Sequence, residues 1–211
     1  MTSLYLYPLW LRLWHWTNAL LFLALILSGV SMHYSGTEWL MPFATARVVH
    51  NTAGILLTIA WVGFILANAL GGNGRHYRIR WRGLVGRLIA QTRYYLVGIF
   101  RGEPHPFHAT ESMKFNTLQQ LSYLGVMYGL MPLLIVSGWA FLYSVYLPET
   151  ILGIGGVWVA ALTHVVVSYL LVLFLLVHLY IITTGETVFA NLRAMISGWH
   201  RATAPSQRET H

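Results

Sequence analysis

Four histidines, His15, His50, His164 and His178, stand inside long apolar stretches of this chain, away from their ends. An ionisable side chain is expensive to keep in such a setting, so each is a candidate functional residue. A single buried imidazole is commonly a hydrogen-bonded packing group, but four of them with no carboxylate nearby point to metal ligation. His164 and His178 are fourteen residues apart, close to four helical turns. They therefore project from nearly the same helix face, roughly 21 Å apart along its axis. Helices running alternately up and down sort the four into two levels, His50 with His164 and His15 with His178. Two opposed imidazoles are what six-coordinate haem iron requires, since the porphyrin supplies the other four nitrogens. Zinc wants three or four protein ligands together, and these levels lie too far apart for that. The set predicts two b-type haems, one at each level.

The flanking residues suit that chemistry. Arg12 and Arg47 each precede a histidine by three residues, in RLWHWT and RVVHNT. Residues three apart share a helix face, so each guanidinium is placed to pair with haem propionates. Arg12 has a second reading as a charged anchor at the membrane surface. Arg47 has no such alternative, being the single basic residue on its side. Gly29 lies fourteen residues after His15, and Gly54 one turn after His50. Glycine lets a flat macrocycle approach a helix backbone, although small residues also serve helix packing in membranes.

The elements that position these residues follow from composition. Of 211 residues, 56% are hydrophobic and 9% charged, against roughly 25% charged in ordinary soluble domains. A bilayer accepts that surface; a soluble core of this size does not. Four apolar spans are predicted, at about 8–33, 44–70, 117–146 and 157–184, each long enough to cross. Pro132 predicts a kink in the third. The first has a competing reading as a cleaved signal peptide, but it is long, lacks a small-residue cleavage site, and carries His15; it is read as retained. The sequence LVGRLIAQTRYYLVGIF between spans two and three is apolar but interrupted by two arginines, which predicts an amphipathic helix lying in the interface. The fold expected is an all-α, up-and-down four-helix membrane bundle carrying that interfacial helix in a long loop. Residues 1–200 form one domain, and 201–211 a polar, disordered tail.

With four spans both termini share a side. Every Lys and Arg except Arg47 falls on it, including the basic loop from Gly71 to Lys114. The positive-inside rule makes that side cytoplasmic, and it accounts for the net charge of +7 without nucleic acid. The absence of cysteine excludes cysteine-ligated iron–sulfur clusters and c-type haem attachment. The remaining histidines, His33, His76, His105, His108, His200 and His211, lie at span ends or in loops and receive no ligand role.

RLWHWTNALLF in span one, HNTAGI in span two, KFNTLQQLSYLGV leading into span three, and H-x13-H followed by TTGETVFANLRAMISGW resemble the bacterial cytochrome b561/nickel–iron hydrogenase cytochrome b superfamily. The likeness covers nearly the whole chain and is nearest to the cytochrome b subunits of formate dehydrogenases and thiosulfate reductases. It implies a di-haem, quinone-reactive subunit of the bacterial inner membrane. Such a subunit anchors an extracytoplasmic redox partner of molybdenum, nickel–iron, iron–sulfur or cytochrome type. It also implies haem ligation by His15, His50, His164 and His178, and a quinone segment at Lys114, Asn116 and Gln119 or Gln120. Chemically, Asn116 can donate to a quinone oxygen, and Lys114 or Glu186 can relay protons. Asn116 also suits the cap of span three, and the two roles are compatible. Two other functions stand beside this one: a self-sufficient small cytochrome b561-type oxidoreductase acting on a diffusible reductant, and a haem-free membrane anchor.

Overall fold

The computed structural model describes residues 2–34, 40–71, 74, 79–104, 106–107, 115–185 and 187–202. Its elements run β1 (Thr2–Tyr5), α1 (Leu9–His33), α2 (Phe43–Leu70), α3 (Leu84–Arg93), α4 (Thr117–Leu124), α5 (Met131–Leu142), β2 (Thr150–Ile151), β3 (Ile154–Gly155), α6 (Gly156–Ile182), α7 (Ala190–Ser197) and β4 (Trp199–Ala202). Four helices are long and apolar enough to cross a membrane: α1, α2, the continuous run Thr117–Leu142, and α6. In the most apolar window of each, at most 28% of residues are buried within the chain. The burial is inverted relative to a soluble protein. Asn18, Ser28, Ser31, Asn68 and Ser137 are inside, whereas Leu20, Ile59, Leu162 and Leu173 are exposed. Apolar side chains facing lipid need no protein cover, while backbone and side-chain polar groups must be satisfied internally.

The chain forms two compact units, one of Leu13–Asn73 with Leu124–Leu176, the other of Met1–Arg12, Gly74–Tyr123 and Val177–His211. The first is helical apart from the β2–β3 hairpin. Phe64 and Leu57 are buried in it, with the Trp14 ring stacked on Phe64 at 4.2 Å. Three indole N–H groups tie it together: Trp14 donates to the Ala60 carbonyl, Trp61 to the Met127 carbonyl and Trp139 to the Thr58 hydroxyl.

The bond from Trp61 explains how span three tolerates Pro132. Gly125–Leu130 winds as a π-helix, and the Met131 N–H bonds to the Val126 carbonyl five residues back. The Met127 carbonyl would next look to residue 132, where proline has no N–H. Trp61 Nε1 fills that vacancy at 2.8 Å. The expected disturbance at Pro132 is thus a π-turn with a side-chain donor from a neighbouring helix.

Span three ends at Leu142 rather than near residue 146, because Tyr143 leaves helical geometry and Ser144–Tyr146 forms a short 3-10 turn. The last span ends at Ile182, two residues before the expected end. The Thr183 and Thr184 hydroxyls donate to the carbonyls of Tyr180 and Ile181 there, closing the final turn.

The second unit contains the interfacial segment. From α3 it continues through a π-turn, Tyr94–Gly98, and a 3-10 turn, Ile99–Arg101. Val85, Ile89, Leu96 and Phe100 are exposed, while Gln91, Tyr94 and Tyr95 are buried. An apolar outer stripe with arginines along it is the expected profile of a helix lying in the membrane surface. The two short ladders are additions to the all-α expectation. β1 pairs antiparallel with β4, from Thr2 opposite Ala202 to Tyr5 opposite Trp199. Arg201 and Ala202, expected in the tail, therefore belong to a strand, and residues 203–211 lie outside the described set. Gly198 ends α7 at φ 89°, and its carbonyl accepts from the N–H groups of Leu6 and Tyr7. A Cβ there would lie 2.7 Å from the Tyr5 ring, so both the turn and the packing require glycine.

Candidate functional site

In the helical unit, α2 and α6 bring the rings of His50 and His164 together, with centroids 6.2 Å apart and planes at 69°. Two metal–imidazole bonds of about 2.0–2.1 Å on opposite sides of one metal would separate ring centroids by roughly 6.3 Å. The observed spacing would suit two imidazoles ligating one metal. Each ring is oriented through its Nδ1, which lies 3.0 Å from Ser28 Oγ in His50 and 3.1 Å from Ser137 Oγ in His164. Nε2 is left as the ring nitrogen available for ligation. Among the described residues no group of three or more His, Cys, Asp or Glu is placed to hold a metal ion. A two-imidazole donor set suits a metal that brings its own equatorial ligands, as haem iron does.

Glycines surround the pair. Gly29 of α1 stands against His50, where a Cβ would be 3.4 Å from the ring; Gly138 of α5 stands against His164, where it would be 3.2 Å away. The space around Gly54 is open to 4 Å. The residues fit a haem: two imidazoles at a suitable spacing, a serine hydroxyl at the Nδ1 of each, and a glycine beside each ring. Arg47 is exposed in the early part of α2.

The other two histidines are not brought together within one unit. His15 lies in the helical unit on α1, half-buried, and His178 lies in the second unit on α6. Arg12, also in the second unit, donates to the Ile196 carbonyl at the end of α7, where a cation also meets the negative end of the helix dipole. Its Nε is buried with no hydrogen-bond partner among the described residues.

Asn116 forms a reciprocal capping box at the start of α4. Its Oδ1 accepts from the Gln119 N–H at 2.9 Å, and its own N–H donates to Gln119 Oε1 at 3.1 Å. That arrangement satisfies two helix-end donors at once. The Asn116 amide further donates to the Tyr95 hydroxyl at 3.1 Å. Gln120 is half-buried in the first turn of α4. Lys114 and Glu186 lie outside the described residues.

Sequence reasoning missed Ser28, Ser137, Gly138 and Tyr95. The first three had a signal, since Ser28-Gly29 and Ser137-Gly138 are the same doublet set deep in two apolar spans. Tyr95 had none. Its phenol is hydrogen-bonded by Asn116, Gln91 and Thr184, and burial raises its pKa above the ordinary tyrosine value. Its backbone carbonyl accepts from the Tyr180 hydroxyl at 2.8 Å. One buried tyrosine thus joins the interfacial segment, the cap of span three and the end of α6.

Residues 6–198 match the family described as prokaryotic cytochrome b561. The chain is 45% identical over 203 residues to the putative cytochrome YdhU of Escherichia coli (strain K12), a match covering 94% of this chain and 75% of that protein.

Proposed function

This chain belongs to the prokaryotic cytochrome b561 family, as a multi-pass membrane b-type cytochrome of electron transfer, and from that premise we propose a finer role. The chain conducts electrons between an extracytoplasmic redox subunit and the quinone pool of the bacterial inner membrane, using two haems b. The observation that carries this reading is the opposed pair His50 and His164 at 6.2 Å. His15 and His178 form the second pair, supported by the fourteen-residue spacing on α6 and the up-and-down order of the spans. Both termini are cytoplasmic, which the distribution of Lys and Arg supports. That places His50 and His164 towards the outer surface.

Bound haem supplies reversible one-electron chemistry at iron. The chain's residues do the rest. His50 and His164 would hold the metal through Nε2, with the serine hydroxyls at Nδ1 orienting the rings. Gly29 and Gly138 admit the rings against the neighbouring helices, and Gly54 leaves room for a flat ligand. Arg47 and Arg12 offer charge for propionates. At the cytoplasmic side Asn116 has two amide N–H donors, one of them given to Tyr95, so the second is suited to a quinone oxygen. Tyr95, beside it, offers a phenol that can hydrogen-bond the same ligand. Gln119, Gln120, Lys114 and Glu186 complete the polar set proposed for quinone exchange.

The capping role of Asn116 shapes the test. Asn116→Ser keeps a good N-cap but loses the amide donors, whereas Asn116→Leu loses both and costs about 0.5–2 kcal/mol of cap. Both variants are expected to retain haem and to exchange electrons with quinol about ten- to hundredfold more slowly in stopped-flow measurements. Wild-type exchange in Asn116→Ser would leave Asn116 as a cap only and remove it from the quinone site.

A further inference from the structure

The two rings of the His50–His164 pair are held by the same device, used twice. In each case it comes from a helix that carries neither ring: Ser28-Gly29 of α1 faces His50, and Ser137-Gly138 of α5 faces His164. Each serine hydroxyl donates to a carbonyl one turn back in its own helix, Ser28 to Ala24 and Ser137 to Leu133, both at 2.6 Å. A hydroxyl carries one hydrogen. With it committed to the backbone, Oγ meets the imidazole as an acceptor, so Nδ1 carries the ring proton, shared with the backbone carbonyl of Leu25 in His50 and of Leu134 in His164, and Nε2 the lone pair. The glycine that follows keeps a side chain off the same ring: a Cβ would crowd His164 at 3.2 Å from Gly138 and would just touch His50 at 3.4 Å from Gly29.

The partner behind a ligating histidine sets how basic that ligand is. A carboxylate there would draw the proton and strengthen the ligand, favouring ferric iron. All six acidic residues of the chain are glutamates, and none falls in the four spans. A serine oxygen already engaged as a donor is a milder acceptor. We propose that Ser28 and Ser137 are positioning residues that lock both ligands as neutral, Nε2-ligating imidazoles and thereby tune the redox potential of this centre. The proposal rests on the haem reading above. It also gives span three a purpose in the centre although it supplies no ligand.

Redox titration of the full-length protein in membranes tests it, with Ser28→Ala, Ser137→Ala, the hydroxyl-retaining Ser28→Thr and Ser137→Thr, and Ser31→Ala as control. Ser31 is buried on α1 and donates to the Leu27 carbonyl in the same way. Losing the acceptor weakens the ligand, so each alanine variant should raise the potential of one and the same component. The expected change in ferric-to-ferrous stability is about two- to tenfold, which reaches about 59 mV at the tenfold limit. The threonine variants should stay at the wild-type potential, as should Ser31→Ala. Unchanged potentials in both alanine variants, or an equal shift in Ser31→Ala, would overturn the proposal. Should the alanine variants fail to assemble, pulsed EPR of the wild-type protein in H2O and D2O decides the same question. An exchangeable proton on the remote nitrogen of both ligands of this centre supports the lock, and a deprotonated remote nitrogen contradicts it. A wild-type protein with no b-type spectrum would instead sink the haem reading from which the proposal starts.

Discussion

At the scale of residues, the proposed centre rests on His50 and His164 and on the serine and glycine packed against each ring. An ionisable group in an apolar span stands out because the bilayer penalises it, and the fourteen-residue spacing follows from helix geometry alone. Serine carries no such signal, since a span accommodates it by back-bonding to its own helix, as Ser31 does. Only the structure separates Ser28 and Ser137, whose oxygens also meet a ring. Gly29 drew notice by its spacing from His15 on its own helix, but its equivalent Gly138 did not, because α5 carries no histidine to count from. That contact yields a sharp test. A Cβ at Gly138 would sit 3.2 Å from His164, so Gly138→Val has no room unless the ring moves. Gly138→Val should lose most of one haem component and keep the other. Gly63→Val, at a glycine with open space around it, should keep both. Full pigment in Gly138→Val, measured by reduced-minus-oxidised spectra, would show that the ring does not need that space.

At the scale of elements, apolar length placed the spans closely, except at the far end of span three. Tyr143, Val145 and Tyr146 remain apolar or aromatic there, so hydropathy continues after the helix has stopped at Tyr143. The short β1–β4 ladder was hidden for a different reason: its strands lie at opposite ends of the chain, and no local pattern announces a pairing of that kind. Pro132 was visible as a helix disturbance, but not the answer to it, because the Trp61 donor comes from 66 residues away. Removing that donor leaves the Met127 carbonyl unsatisfied in the span. Trp61→Phe should therefore destabilise by about 1–3 kcal/mol, read as a lower thermal midpoint in detergent. Pro132→Ala restores an N–H within reach of the same carbonyl, so the double variant should lose less than the sum of the two single changes. Additive losses in the double-mutant cycle would mean that the two residues act independently.

At the scale of the whole molecule, the membrane character was the plainest feature of the sequence, and the family match agrees with it over residues 6–198. The pairing of histidines level by level is the step on which the proposed function depends. The rings of His50 on α2 and His164 on α6 lie 6.2 Å apart, while the pairing of His15 with His178 comes from depth along the spans. Haem quantification in the purified wild-type protein, with the spectral components resolved in the four single histidine-to-alanine variants, tests both together. Two haems per chain are predicted, with His50→Ala and His164→Ala losing one component and His15→Ala and His178→Ala losing the other. A single haem per chain, or loss of the same component in His15→Ala and His50→Ala, would contradict the account.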